Sequence, residues 1–155
     1  MKLKLTATIA LFSVIFPFTA QADVSGDHPG YLHALTDLNA ARWNLQHRPG
    51  DVAVSLQEDR AISEIDRAIG EVKKAAHEDG KDMEERPHED ADLDRPGRLH
   101  RAVDLLEKVH GDLDREEDNP QARGPKHRAI DHVDRAIEAT RHAIRDVERV
   151  RTLTQ

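Results

Sequence analysis

Apolar residues recur at intervals of three and four through four stretches of this chain and thin out between them. Ile62, Ile65, Ile69, Val72 and Ala76 form one row, and Ile130, Val133, Ile137, Thr140, Ile144 and Val147 form another. Leu99, Ala102, Leu106, Val109 and Leu113 make a third. In a fourth, Leu35, Leu38, Arg42 and Leu45, the arginine is the awkward member. Such spacing lays one apolar stripe along an α-helix, so the pattern predicts four amphipathic helices, the first of them the weakest.

Local signals place the ends of these elements. Asp27 and Asp94 can accept backbone N–H bonds as N-caps, with Pro29 and Pro96 in the first turn, where a missing donor is harmless. Ser55 and Glu58 have the spacing of a capping box ahead of the second helix. The separators are Arg-Pro-Gly at 48–50, a charged stretch from Glu78 to Gly97 and the segment at 118–125, all poor helix interiors.

The pattern also repeats. Residues 27–38 return at 94–105 with an offset of 67, keeping Asp27/Asp94, Pro29/Pro96, Gly30/Gly97, Leu32/Leu99, His33/His100, Asp37/Asp104 and Leu38/Leu105. Residues 60–75 return at 128–143 with an offset of 68, eight of the sixteen positions being identical. Two matched blocks in one order indicate a helical hairpin copied once: repeat one at about 27–80, an acidic linker at about 81–93 and repeat two at about 94–151. The predicted fold is all-α, an up-down-up-down four-helix bundle. In that topology the starts of helices one and three meet the ends of two and four. One pole then collects His28, His33, His77, His88, His100 and His142, and the other His47 and His127, with His110 and His132 further inside.

Residues 1–22 change the picture of where this bundle works. Lys2 and Lys4, an uncharged apolar run from Leu5 to Phe18 and the small-residue motif Ala20-Gln21-Ala22 are the three regions of a secretory signal peptide, with cleavage expected after Ala22. The run is too short to span a bilayer, and no later stretch approaches the ~20 apolar residues required. The expected product is the helical domain at 23–155, periplasmic or secreted. All three phenylalanines lie in the leader, so its core must be aliphatic, with Tyr31 and Trp43 as the remaining aromatics. Tyr31, whose repeat partner is Arg98, is expected to cap the first helix, and Trp43 to cover the Asp51–Leu56 loop.

Charge and composition exclude several functions. The formal net charge of −7, which becomes −9 once Lys2 and Lys4 leave, argues against nucleic acid and anionic membrane as partners. With no cysteine there is no disulfide, thiolate metal site or thioether-linked haem. No glycine-rich phosphate loop points to a nucleotide, and no nucleophile motif points to an enzyme. Glu107 and His110 match one Glu-x-x-His element of a di-iron bundle, which needs two. Asp90, Asp92 and Asp94 resemble the start of a calcium loop, but Arg95 and Arg101 occupy the positions of its glycine and its closing glutamate.

The remaining chemistry is histidine. Ten are present, and neutral imidazole is the side chain that most often binds transition metals. His33/Asp37, His100/Asp104 and His127/Asp131 are His-x-x-x-Asp pairs, which a helix brings onto one face a turn apart. Together with His77, His132 and His142 they form the candidate ligand set for copper, nickel or zinc. The other reading of the same residues is a solvated face with surface hydrogen bonds worth tenths of a kcal/mol.

A leader followed by a His-rich helical array with the segments HRAVD (100–104), HRAID (127–131) and DRAI (59–62 and 134–137) resembles the periplasmic small metal-binding protein family. The likeness lies mainly in 58–77 and 126–146. It implies a helical bundle that binds copper and other divalent metals, with His100, His127, His132 and His142 as ligands and His33 joining them through the repeat. Helix two departs from the family pattern, carrying only His77 near its end. The expected function is divalent-metal binding or buffering without catalysis. The rival is an envelope interaction or stress protein, chaperone-like or an adaptor, that docks another envelope protein.

Overall fold

The computed structural model of the chain describes residues 29–47, 55–78, 94–116 and 120–154. They form four helices, α1 (Pro29–Gln46), α2 (Leu56–Glu78), α3 (Arg95–Arg115) and α4 (Arg123–Leu153), and no strand among the described residues. The all-α four-helix bundle expected from the periodicity is what forms. The leader, Asp27, the Asp51–Val54 loop and the acidic linker lie outside the described residues.

Helix ends follow the capping chemistry. Ser55 donates its N–H to Glu58 Oε2 at 2.8 Å, and Glu58 returns its own N–H to Ser55 Oγ at 3.3 Å, closing the box. Asp94 caps α3 by accepting from Gly97 N at 2.9 Å. The equivalent donor in α1, Gly30 N, is taken by a residue no local rule could find: Glu116 Oε2, 2.9 Å away at the end of α3. The 118–125 separator is shorter than expected, because α4 begins at Arg123 and takes Gly124 and Pro125 into its first turn, where proline costs no hydrogen bond.

The helices do not run up-down-up-down. Gly30 meets Glu116 and Asp37 meets Lys108, so α1 and α3 are antiparallel. Glu64 meets His132 while Glu71 meets Arg128, so α2 and α4 are antiparallel. Asp134 pairs with His110 and Arg141 with Glu107, so α4 also opposes α3. The chain therefore runs up-down-down-up, with α2 and α3 parallel and diagonally opposed, their starts joined by Arg95 Nη2 on Glu58 Oε2 at 3.0 Å. Short links favour sequential antiparallel neighbours. Here the connection between α2 and α3 is long, and the two copies of the hairpin dock like on like instead, α1 against α3 and α2 against α4.

The core is aliphatic, as the composition requires, but its centre differs from the rows of large residues. On α2 the fully covered apolar positions are Ala61, Ile65, Ala68, Val72, Ala75 and Ala76, and on α4 Ala129, Val133, Ala136 and Ala143, with Thr140 beside them. Ile62, Ile69, Ile130 and Ile144 are only partly buried and flank this stripe. Ala61, Ala68 and Ala75 are the repeat equivalents of Ala129, Ala136 and Ala143 at the offset of 68. Two antiparallel alanine rows, one residue per heptad, let the α2 and α4 backbones approach closely, with isoleucines sealing the sides. Arg42, the awkward member of the first row, sits half-buried with Nε 2.9 Å from Asp66 Oδ1 on α2. Tyr31 does not cap the bundle end as expected; it is wholly buried in the core. Trp43 stacks on His47, ring centroids 4.3 Å apart.

Two glycines make a test of opposite signs. A Cβ on Gly30 would collide with the Glu116 carboxylate and lie 3.1 Å from the Asp112 carbonyl oxygen, a backbone atom that cannot swing away. Around Gly70, mid-helix in α2, the same atom would meet nothing within 4 Å. Gly30→Ala should cost about 1–3 kcal/mol through overpacking. Gly70→Ala should gain about 0.5–1 kcal/mol from helix propensity. Thermal melting of the two variants checks both; equal shifts would contradict the close approach at Gly30.

Candidate functional site

The topology redistributes the histidines. Because α1 and α3 are antiparallel, the equivalent residues His33 and His100 sit near opposite ends of the pair, about 18 Å apart along the axis at 1.5 Å per residue. One end brings together the start of α1 with His33, the end of α2 with His77 and the start of α4 with His127. The other end holds His47 and His100, while His142 lies midway along α4, beside Arg141, which reaches Glu107 in the middle of α3. The single pole expected to gather His33, His77, His100 and His142 therefore does not form, and His28 and His88 lie outside the described residues.

In the first His-x-x-x-Asp pair the carboxylate is engaged elsewhere. Asp37 is buried, with Lys108 Nζ of α3 donating to its Oδ2 at 2.6 Å, and His33, one turn earlier, is half-buried. His100 is exposed and turns back on α3, with Nδ1 2.8 Å from the Pro96 carbonyl. A carbonyl only accepts, so the proton is on Nδ1 and the Nε2 lone pair faces outward. Asp104, His127, Asp131 and His77 are all exposed. Among the described residues no group of three or more histidine and carboxylate side chains is arranged to hold a metal ion.

His132 sits in a tightly built polar cluster. Its Nδ1 lies 2.6 Å from Glu64 Oε2, and Glu64 also receives Arg67 Nη1 on Oε1 at 2.7 Å and Arg135 Nε on Oε2 at 3.1 Å. The carboxylate can only accept, which puts the His132 proton on Nδ1. Arg135 Nη2, 2.8 Å from the same nitrogen, is then a close neighbour and not its donor. Burial by itself would raise the Glu64 carboxyl, but hydrogen bonds from His132 and Arg135 and the charges of Arg135 and Arg67 hold it below its ordinary value. At Glu58 burial is likewise outweighed by Ser55 and Arg95. Both carboxylates stay ionised, held by cations of the chain itself.

A second cluster lies in the groove between α3 and α4. Asp134, Glu138 and His142 stand at successive turns of α4, and His110 and Glu107 face them from α3 around a cavity of about 660 Å³. His110 Nε2 is 3.5 Å from Asp134 Oδ1, and His142 Nε2 is 3.9 Å from Glu138 Oε1. Both imidazoles are about half exposed, so either can shed its weak contact at small cost. Arg141, paired with Glu107, and Arg145 share the groove. Of these residues the candidate ligand set read from the sequence contains only His142, while Glu107 and His110 stand there as a lone Glu-x-x-His element. The row at 134, 138 and 142 is visible in the sequence, whereas His110 joins it only through the packing of α3 on α4.

The far end of the bundle is apolar by contrast. Leu56, Val150 and Leu153 are largely exposed there, beside a groove lined by Arg95, Ala143, Val147 and Val150. No described helix is long and apolar enough to cross a membrane. No family model, curated protein or solved structure matches this chain.

Proposed function

We propose that the protein is a non-catalytic binder of divalent transition metals, copper, nickel or zinc, held at the surface of the bundle in the exported compartment to which residues 1–22 direct it. The observation that carries this reading is the α3–α4 groove, where two half-exposed imidazoles, His110 and His142, each stand beside a carboxylate, Asp134 and Glu138. A His–carboxylate pair supplies two ligands, water fills the remaining positions, and small rotations of exposed side chains bring the nitrogens and oxygens onto one ion. His100 offers a second, simpler point of attachment, because its backbone-anchored Nδ1 leaves Nε2 outward, the tautomer metal-bound imidazoles use. Sites of this kind suit buffering more than tight storage, since each ion replaces water and few protein contacts.

Titration of the processed protein with Cu(II), Ni(II) and Zn(II), followed by calorimetry and by melting, tests the reading. At a hundred times the dissociation constant the fold should gain ~2.7 kcal/mol. The gain should shrink on acidification, because protons compete with the metal for imidazole nitrogen. His110→Ala with His142→Ala should remove the strongest site, and absence of any melting shift at neutral pH would end the proposal.

The exposed Leu56, Val150 and Leu153 favour a second reading, docking of another envelope protein on the end where α2 and α3 begin and α4 finishes. Hydrophobic-dye fluorescence that is lost on changing all three to Ser would support a persistent apolar patch there.

A further inference from the structure

The two hairpins meet about a pseudo-twofold axis, and the residues on it are repeat equivalents of each other. Glu64 and His132 occupy the same repeat position at the offset of 68, and they are in direct contact at 2.6 Å. Arg67 and Arg135, also equivalent, approach Glu64 from the two sides. Asp66 pairs with Arg42 across the first hairpin and its equivalent Asp134 with His110 across the second, the two partners standing one position out of register at the offset of 67. An interface built on such an axis fits a second copy of either hairpin nearly as well as it fits its partner in the chain.

We infer that the Glu64–His132 pair is the device that commits hairpin one to hairpin two of the same chain and rejects like-with-like pairing between chains. Two first hairpins docked about this axis would set Glu64 against Glu64, two shielded carboxylates at contact distance. Two second hairpins would set His132 against His132 between a pair of Arg135 guanidiniums, with no carboxylate on the axis. Only the mixed pairing places one acid between two arginines and an imidazole donor. The alanine rows at the centre of the α2–α4 contact are the same in both copies and cannot discriminate. Glu71–Arg128 and Asp37–Lys108 also cross between the hairpins off the axis, but Glu64–His132 is the contact on the axis itself, where like pairing sets identical groups face to face, as a single buried polar residue fixes register in coiled coils.

The symmetry predicts that the pair can be exchanged. His132→Glu puts two acids on the axis of the monomer, and its melting temperature should fall by about 5 °C or more. Glu64→His combined with His132→Glu should restore the melting temperature to within ~2 °C of the unchanged protein, because Arg135 and Arg67 then serve the acid at 132 as they now serve that at 64. Glu64→Leu with His132→Leu removes the discrimination on the axis, and light scattering across a hundredfold concentration range should show a dimer fraction larger than that of the unchanged protein. Failure of the exchanged variant to recover, or a leucine pair that remains strictly monomeric, would overturn the inference. If His132→Glu alone does not fold, recovery in the exchanged variant still decides the question.

Discussion

Val133→Asp should leave the protein without a cooperative unfolding transition. Val133 is wholly buried on α4, one residue from the charged cluster on the axis but on the core side of the helix. The substitution removes an apolar side chain and puts a carboxylate where no cation of the chain can follow. An unpaired buried charge costs several kcal/mol even after relaxation, and the lost apolar burial adds about 1.5 kcal/mol or more. A domain of this size holds roughly 5–15 kcal/mol in total, so the transition should broaden or disappear in far-UV circular dichroism. Ile69→Asp, on the partly buried flank of α2, should keep a transition at lower temperature. Equal damage from both would mean that the stripe is centred on the isoleucines.

Ala136→Leu should be the second most damaging change, although it adds only hydrocarbon. Ala136 and its equivalent Ala68 lie in the facing alanine rows, both with no exposed surface. Three extra carbons at that contact must push α4 off α2 or force strained rotamers, at about 1–3 kcal/mol each. Ala61→Leu in the same chain should cost more than the sum, because Ala61 and Ala136 stand opposite each other in the antiparallel register set by Glu64–His132 and Glu71–Arg128. Ile130→Val, at the rim, should cost ~1 kcal/mol or less. Denaturant melts of the four variants would order them, and a neutral Ala136→Leu would show that α2 and α4 do not pack through their small residues.

These two cases also show what could be read from the sequence. Helix number and type were legible, because a three-four spacing of aliphatic residues has one good solution. The box at Ser55 and Glu58 and the cap at Asp94 were legible because they are local. The stripe centre was displaced because the rows were traced through the largest apolar residues, whereas a close helix contact selects the smallest. The topology was not legible: equal repeats can dock alternately or like on like, and hydrophobic period says nothing about which.

The candidate site shifted for the same reason. Equivalent histidines can be gathered or scattered by the same duplication, depending on whether the copies run parallel or antiparallel, and the antiparallel docking of α1 on α3 scatters His33 from His100. Asp37 was assigned to His33 from helical spacing alone, but Lys108 lies across the interface and carries a full charge. His132 was marked as a ligand. Its neighbour Glu64 shares its repeat position, and only the docking of copy on copy turns that coincidence into contact.

The stacked pair at the end of α1 has a practical consequence. Trp43 is the sole tryptophan of the chain, and it lies against His47. Indole emission therefore watches one turn of the shortest helix, while ellipticity at 222 nm is dominated by the longer α2 and α4. Overlaying the two optical traces during denaturation separates fraying of that terminus from collapse of the whole assembly: coincident curves mean that α1 melts with the rest, and an early fluorescence change means that it lets go first.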